Sequence, residues 1–344
     1  MRAVATNIAD LKAQVASCAK GAAELHKMVA LFGLDVVQAY MSHVQDNAEE
    51  CVRRAIETLH DAEYVYPMDP DFDGAAREVR VKITVDRETR SATVDFTGTT
   101  GQLATNYNAP EPVTRAAVLY VFRLLVDDDI PMNEGVMKPL DVILPKGTML
   151  SPEYPAAVIA GNVETSQAVT SALLLALGVQ AAAQSTMNNT TWGNAQHQYY
   201  ETICGGTGAG RLVNGAGHPG TGGVHSHMTN SRLTDPEVLE WRFPVVLDEF
   251  SLRPGTGGQG VFAGGDGTRR KTRFLEDMTL AILTGHRTVP PPGLEEGGPG
   301  AVGVSRVIRA DGREDVLRPA DRTEIKAGDV YWLDTPTGGG FTPE

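Results

Sequence analysis

From Ile8 to Leu59 apolar residues recur every three or four positions: Ile8, Leu11, Val15, Ala22, Leu25 and Val29, then, past Gly33, Val37, Tyr40, Val44, Cys51, Val52, Ile56 and Leu59. That period predicts two long amphipathic helices broken at Gly33, with Asn7 placed to cap the first. His26, His43 and His60 fall inside this pair and read as solvated or packing histidines. The period then changes to two. Val79, Val81, Ile83 and Val85 share one face, Asp86 to Arg90 form a polar turn, and Ala92, Val94 and Phe96 return, which predicts a β-hairpin.

Helices are predicted at Thr114 to Val126 and, strongly apolar and therefore buried, at Glu164 to Gly178, with a short strand at Leu140 to Leu144 between them. Beyond them short strands are expected at Arg242 to Leu247, Met278 to Thr284, Val304 to Arg309 and Val330 to Leu333. The order defines an α+β fold. An N-terminal helical pair (1–66) is followed by a mixed α/β middle (67–180) and a glycine-rich, mostly antiparallel β part (181–344).

Composition sharpens this picture. Of 37 glycines most crowd into 205–223, 255–267, 293–303 and 338–340, so the second half must be built on tight turns and close backbone approaches. The formal charge is −13 and no basic run interrupts it, which argues against nucleic acid or an anionic membrane surface as partner. No apolar run is long enough to span a bilayer, and no signal-peptide layout opens the chain. Three scattered cysteines, Cys18, Cys51 and Cys204, build neither a disulfide framework nor a metal knuckle, and a reducing cytoplasm suits them.

Several chemistries can be set aside by inspection: no phosphate-binding P-loop, His-Glu-x-x-His or Gly-x-Ser-x-Gly is present. Gly255 to Gly260 satisfies Gly-x-Gly-x-x-Gly but lacks the preceding strand and following helix that dinucleotide binding needs, so it reads as a glycine turn. Four polar clusters remain. Gly161 to Gln167, with Asn162 and Glu164, stands at a helix N-terminus, where free N–H groups either meet an anionic substrate group or are merely capped. Ser185 to Gly193, with Asn188 and Asn189, is either a substrate loop or a self-bonded turn. Tyr199 to Gly206 carries Glu201 and Cys204, the latter a nucleophile or a small packing residue. Gly223 to Asn230 carries His225 and His227. On a strand these two would share one face, as an acid-base pair or two metal ligands would, and ordinary structural hydrogen bonding is the alternative.

Gly-Asn-Val-Glu-Thr-Ser-Gln (161–167), Thr-Met-Asn-Asn (186–189), Tyr-Tyr-Glu-Thr (199–202), Gly-Val-His-Ser-His-Met-Thr-Asn (223–230), Arg-Pro-Gly-Thr-Gly-Gly (253–258), Gly-Gly-Asp-Gly (264–267) and Thr-Pro-Thr-Gly-Gly-Gly (335–340) together resemble the hydantoinase B/5-oxoprolinase family. The likeness runs from Ala9 onward and corresponds to the C-terminal two-thirds of such a subunit. A His- and Asp-rich N-terminal region, associated with a metal in the related acetone carboxylases, has no match here. The resemblance implies ATP-dependent opening of a five-membered cyclic amide, with ATP and Mg²⁺ on a separate A-type subunit and no cofactor or metal assigned to this chain. It carries over His225, His227 and Glu201 as catalytic candidates and Asn162, Glu164, Asn188, Asn189 and Asn230 as substrate-binding ones. Assembly with the A-type subunit is implied, and the apolar stripes of the first two helices lead to the same expectation of an oligomer. A noncatalytic remnant that docks on that partner, or a subunit of an acetone- or acetophenone-type carboxylase, are the alternatives.

Overall fold

The computed structural model describes residues 4–70, 74–212 and 214–344. The chain opens with α1 (Val4–Phe32) and α2 (Leu34–Glu57), separated by Gly33 at φ 84°, a backbone angle that side chains rarely adopt. Asn7 lies inside α1 and does not cap it. On α2 the buried stripe is Val37, Ala48, Cys51, Val52 and Ile56, whereas α1 buries nothing.

Next come β1 (Ala62–Met68), β2 (Arg77–Asp86), β3 (Ser91–Asp95), α3 (Glu111–Leu124) and β4 (Leu140–Ile143). The strands form one sheet in the order β1-β2-β3-β4, antiparallel except for the β3–β4 pair. The alternation of Val79, Val81 and Ile83 buries one face of β2, and α2, α3 and α4 (Ser166–Ala176) contribute to the same apolar core. Every residue of α4 from Ser166 to Leu175 is buried, as its apolar sequence predicts. A π-helical turn, Gly161–Thr165, leads into it.

The second half holds β5 (Asn189–Gly193), β6 (Gln198–Glu201), β7 (Gly210–Arg211), β8 (Gly217–His218), α5 (Pro236–Arg242), β9 (Val245–Leu252), β10 (Thr268–Phe274), β11 (Met278–Leu283) and β12 (Leu294–Glu295). The chain ends with β13 (Val304–Ile308), β14 (Glu314–Val316), β15 (Ala320–Ile325), β16 (Val330–Asp334) and β17 (Phe341–Thr342). Two antiparallel sheets, β14-β13-β16-β10-β9 and β15-β11-β5-β6, both supply residues to a second core, including Trp192, Phe274, Leu280, Ile282, Tyr331 and Leu333. The predicted strand at Arg242 starts later, because Asp235 caps α5 by accepting from Glu237 N and Arg242 ends that helix. Strand β10 was hidden from the hydrophobic pattern. Its inward residues are Thr268, Arg270, Thr272 and Phe274, and the charge of Arg270 is met by Glu201 across 2.9 Å.

The glycine clusters pack backbone on backbone. Gly265 N donates to Thr207 O (2.8 Å), Gly338 N to Gly265 O (2.9 Å), Gly258 N to Gly338 O (2.9 Å) and Gly339 N to Ala182 O (2.8 Å). A Cβ on Gly338 would overlap the carbonyl of Thr207, so these segments meet only where side chains are absent. Gly338→Ala is therefore expected to destabilise by about 3 kcal/mol or more through overpacking against rigid backbone. Gly21→Ala, where nothing lies within 4 Å, should change stability by no more than about 1 kcal/mol. Urea midpoints of the two variants check the contrast, and equal midpoints would rule out the backbone stack as a constraint.

Candidate functional site

Strand register builds the floor of a cleft. Tyr200 faces Thr191 across β6–β5, Thr191 faces Ala281 across β5–β11, and Ala281 faces Arg322 across β11–β15, so the four form one row on one sheet face. A second row, Asn189, Leu283 and Ala320, runs beside it. Over this floor stands the π-helical turn before α4, contributing Asn162 and Val163, and the space between measures about 700 Å³. Gly161 lets the turn sit there, because a Cβ would collide with Asn108 O and Ala109 Cα. The Asn162 side chain is exposed and hydrogen-bonds to none of the described residues.

Behind the cleft wall lies Glu164, fully buried. Its Oε1 accepts from Asn189 Nδ2 (2.7 Å), Thr186 Oγ1 (2.9 Å) and Met187 N (3.1 Å). Burial pushes this carboxyl up to about 8, against the pull of those donors and of the Arg287 charge, so at neutral pH it is mostly the acid. With three donors on Oε1, the proton belongs on Oε2. Asn189 is held on all sides: Nδ2 also donates to Leu283 O (2.8 Å), and Oδ1 accepts from the Tyr200 hydroxyl (2.6 Å). Asn188 lies deeper, donating to Gln184 Oε1 and Ile203 O while its Oδ1 accepts from Arg287 Nη2 (2.7 Å).

The same buried region joins the two halves of the chain. Asp69 accepts N–H groups from Arg287 (2.6 Å), Thr288 (2.9 Å) and Val289 (2.8 Å), and these bonds hold its carboxyl below the usual carboxylate range in spite of burial. His286 has one defined tautomer. Nδ1 must donate to the Val289 carbonyl (2.7 Å), which leaves Nε2 to accept from the Tyr66 hydroxyl (2.8 Å). Burial lowers its proton affinity, so it is neutral.

Of the residues expected at a site, the structure brings Asn162, Glu164, Asn188 and Asn189 together. Glu201 lies on the opposite face of the sheet, because Thr190, not Asn189, is its cross-strand partner. There it pairs with Arg270 and accepts from Tyr199 (2.8 Å). His225 and His227 are not on a strand: Val224 makes only an isolated bridge to Gly205, and His227 sits at φ 60° in a turn. His227 lies beside Tyr120 of α3, its Nδ1 3.4 Å from the hydroxyl, and burial lowers it to about 4. Asn230 is exposed in the following loop. Cys204 is buried, and desolvation pushes its thiol up to about 11, which suits packing rather than nucleophilic attack. Among the described residues no group of three or more His, Cys, Asp or Glu could hold a metal ion. Tyr200 was within reach of sequence reasoning, since alternation along Tyr199-Tyr200-Glu201 must send Tyr200 to the face opposite Glu201. Arg322, Asp69 and His286 belong to no motif that marks them.

The chain is thus α+β, with an acid buried behind an amide-lined cleft and glycine segments stacked through its β half. The Hydantoinase B/oxoprolinase family profile matches residues 1–344, and the chain belongs to that family. It is 40% identical to 5-oxoprolinase 1 of Arabidopsis thaliana and 40% identical to 5-oxoprolinase of Dictyostelium discoideum, in each case over 99% of this chain and 27% of the relative. The chain thus spans about a quarter of the length of these relatives. The fold is that of the ATP-dependent caprolactamase from Pseudomonas jessenii (TM-score 0.85, 22% identity, 99% of this chain and 62% of that one).

Folding lifts the Glu164 carboxyl from 4.5 to about 8, so between these values the folded chain keeps a proton that the unfolded chain has released, and stability falls as pH rises. The half-buried His225 and His227 and the buried His286 act in the opposite sense, but only below their ordinary 6.5. From pH 6.5 to 8 the wild type should therefore lose up to about 1.4 kcal/mol per pH unit relative to Glu164→Gln. Urea midpoints of both proteins across that window measure the difference, and parallel curves would mean that Glu164 is already ionised in the fold.

Proposed function

We propose that this chain is the B-type part of an ATP-dependent cyclic-amide hydrolase and that the Asn162–Asn189 cleft receives the ring. The observation that carries this reading is the buried acid Glu164, locked through Asn189 to the wall of a cleft whose other wall presents the unpaired amide of Asn162. Family membership and the names of the relatives support this reaction class. An unstrained amide is stabilised by resonance worth a large part of its ~18–20 kcal/mol rotation barrier, and ATP bound by an A-type partner would supply the activation by phosphorylating the amide oxygen.

ATP chemistry belongs to the partner because the residues here do not fit it. Gly257, Gly258 and Gly260 of the glycine motif are packed against Gly264, Gly340 and Phe341, leaving no room for phosphates. What this chain does is bind and orient. Asn162 is free to hydrogen-bond the ring amide, and Tyr200 and Glu164 fix Asn189 as a rigid wall. Glu164 keeps a proton on Oε2 close behind that wall at neutral pH.

A second role within the same activity is favoured for His225 and His227. Both ring nitrogens of His225 and Nε2 of His227 are buried without a partner among the described residues. Buried polar atoms of this kind need a hydrogen-bond partner that the described residues do not supply. The pair would then act where the A-type partner or further chain covers the 224–230 loop, whereas Glu201 is already engaged by Arg270, Tyr199 and Thr234.

The purified chain should show no saturable ATP turnover, and addition of an A-type subunit should bring lactam-dependent ATP cleavage. In that complex Asn162→Ala, which removes no internal hydrogen bond, should lower kcat/KM by about 10²–10³ with an unchanged melting temperature. Unchanged kinetics would sink the cleft as the ring site.

A further inference from the structure

Helix α1 stands apart from both cores: none of its residues is buried, and Leu11, Val15 and Phe32 are 61, 70 and 57% exposed. Its apolar positions keep a seven-residue repeat. Ile8, Val15, Ala22 and Val29 fall seven apart, as do Val4, Leu11, Cys18, Leu25 and Phe32, and the two series alternate in steps of four and three. A helix that packs on a globular body shows a broad stripe of period 3.6. A repeat of 3.5 held over four heptads instead keeps a narrow seam turned toward a second helix along its whole length. At 1.5 Å per residue the 29 residues of α1 extend about 44 Å.

Three features point to a second copy of the same helix. The first series is β-branched at Ile8, Val15 and Val29 and the second carries Leu11 and Leu25, the distribution that favours a parallel two-stranded coil. The positions flanking the seam hold no carboxylate and one lysine, Lys12, so identical helices do not repel each other there. The remaining charges of α1 point away from the seam, where Lys20 and Lys27 both pair with Glu24. Lys12, Lys20 and Lys27 outnumber Asp10 and Glu24, so α1 is weakly positive in a chain of net charge −13, and two acidic copies meet there with little repulsion. The apolar surface also continues past Gly33. Phe32 and Met28 line a groove of about 710 Å³ with Val36, Tyr40, Met41 and Val44 of α2, which extends the seam at its C-terminal end.

We propose that α1 is a dimerisation helix, through which two copies of this chain pair as a parallel two-stranded coiled coil. Apolar stripes of this length rarely stay uncovered on a monomer. Pairing covers the stripe without disturbing either core, because α1 contributes nothing to them in the single chain. In the parallel arrangement each residue of the second series faces its own counterpart, so the two Cys18 thiols come together. Cys18 is exposed whereas Cys51 and Cys204 are buried, which makes it a selective reporter of the seam.

Sedimentation equilibrium and a short bis-maleimide cross-linker test this on the full chain. The wild type should be a dimer at micromolar concentration and should cross-link through Cys18. Leu11→Glu with Leu25→Glu, both in the seam and both exposed in the single chain, should weaken the dimer by about a hundredfold or more and abolish the cross-link while the melting temperature stays unchanged. Ala13→Glu, on the opposite side of α1, should leave the dimer intact. Leu11→Cys in a Cys18→Ser background should cross-link to its own counterpart, because an antiparallel pair would set position 11 against position 25. A dimer in which this variant fails to cross-link would overturn the parallel pairing. The proposal also fails if the chain is monomeric throughout the micromolar range, or if its dimer survives the double glutamate variant or is lost equally with Ala13→Glu. A monomer whose Cys18 becomes shielded from maleimide only on addition of an A-type subunit would assign the stripe to that partner and overturn the proposal as well.

Discussion

One carboxyl oxygen organises the centre of this molecule. Oε1 of Glu164 gathers donors from Thr186, Met187 and Asn189, and so ties the turn before α4 to the loop that starts β5. Thr186 Oγ1 in turn accepts from Gly285 N (3.1 Å), drawing in the segment after β11. Three stretches far apart in sequence are thereby set by one acid. The arrangement tolerates full burial because the acid stays protonated, and a neutral carboxyl with satisfied partners avoids the cost of a bare charge in a dry interior. Removing any donor would leave a buried acceptor short, and removing the acid would leave three donors short. Cleft geometry and fold stability therefore depend on the same group.

The glycine stack answers a different requirement. The C-terminal strands lie close against the loops at 205–223 and 255–267, and those loops approach one another at backbone distance. Gly206 meets Gly265, Gly265 meets Thr221, and Gly338 meets Thr207, each with no space for a Cβ. Hydrogen bonds between these segments replace the side-chain packing that a conventional core would use. Thus the high glycine content records close packing of extended chain more than freedom of turning: Gly206, Gly265 and Gly338 are all absent from the positive-φ glycines.

Periodicity made the helices, the first hairpin and the buried α4 legible, because each presents a continuous apolar stripe or alternation. It missed β10, where arginines and threonines point inward and an ion pair between Arg270 and Glu201 stands in for hydrophobic burial. It likewise misjudged the context of His225 and His227, since nothing in a glycine-rich segment distinguishes a strand from a turn. Asn162, Glu164, Asn188 and Asn189 were visible as dense polar clusters in motifs. Arg77, whose Nη1 is buried without a partner among the described residues, and Asp69 were not, because their significance lies in what they lack or saturate. An unpaired guanidinium nitrogen and a carboxylate already filled by backbone N–H groups are properties of three-dimensional placement, and no spacing along the chain encodes them.

Electrostatics links these observations. A chain with a net charge of −13 repels small anions at long range, which makes the local balance at the cleft decisive. Arg318 and Arg322 line the cleft, Arg77 lines its side pocket, and Arg287 lies buried beside Asn188. The acids nearby are largely neutralised: Glu164 by its own proton, Asp69 by backbone donors and Asp321 by Arg318. Arg318 and Asp321 cancel each other, so the local positive charge rests on Arg322 in the cleft and Arg77 in the side pocket, and the low dielectric around Arg77 prolongs the reach of its field.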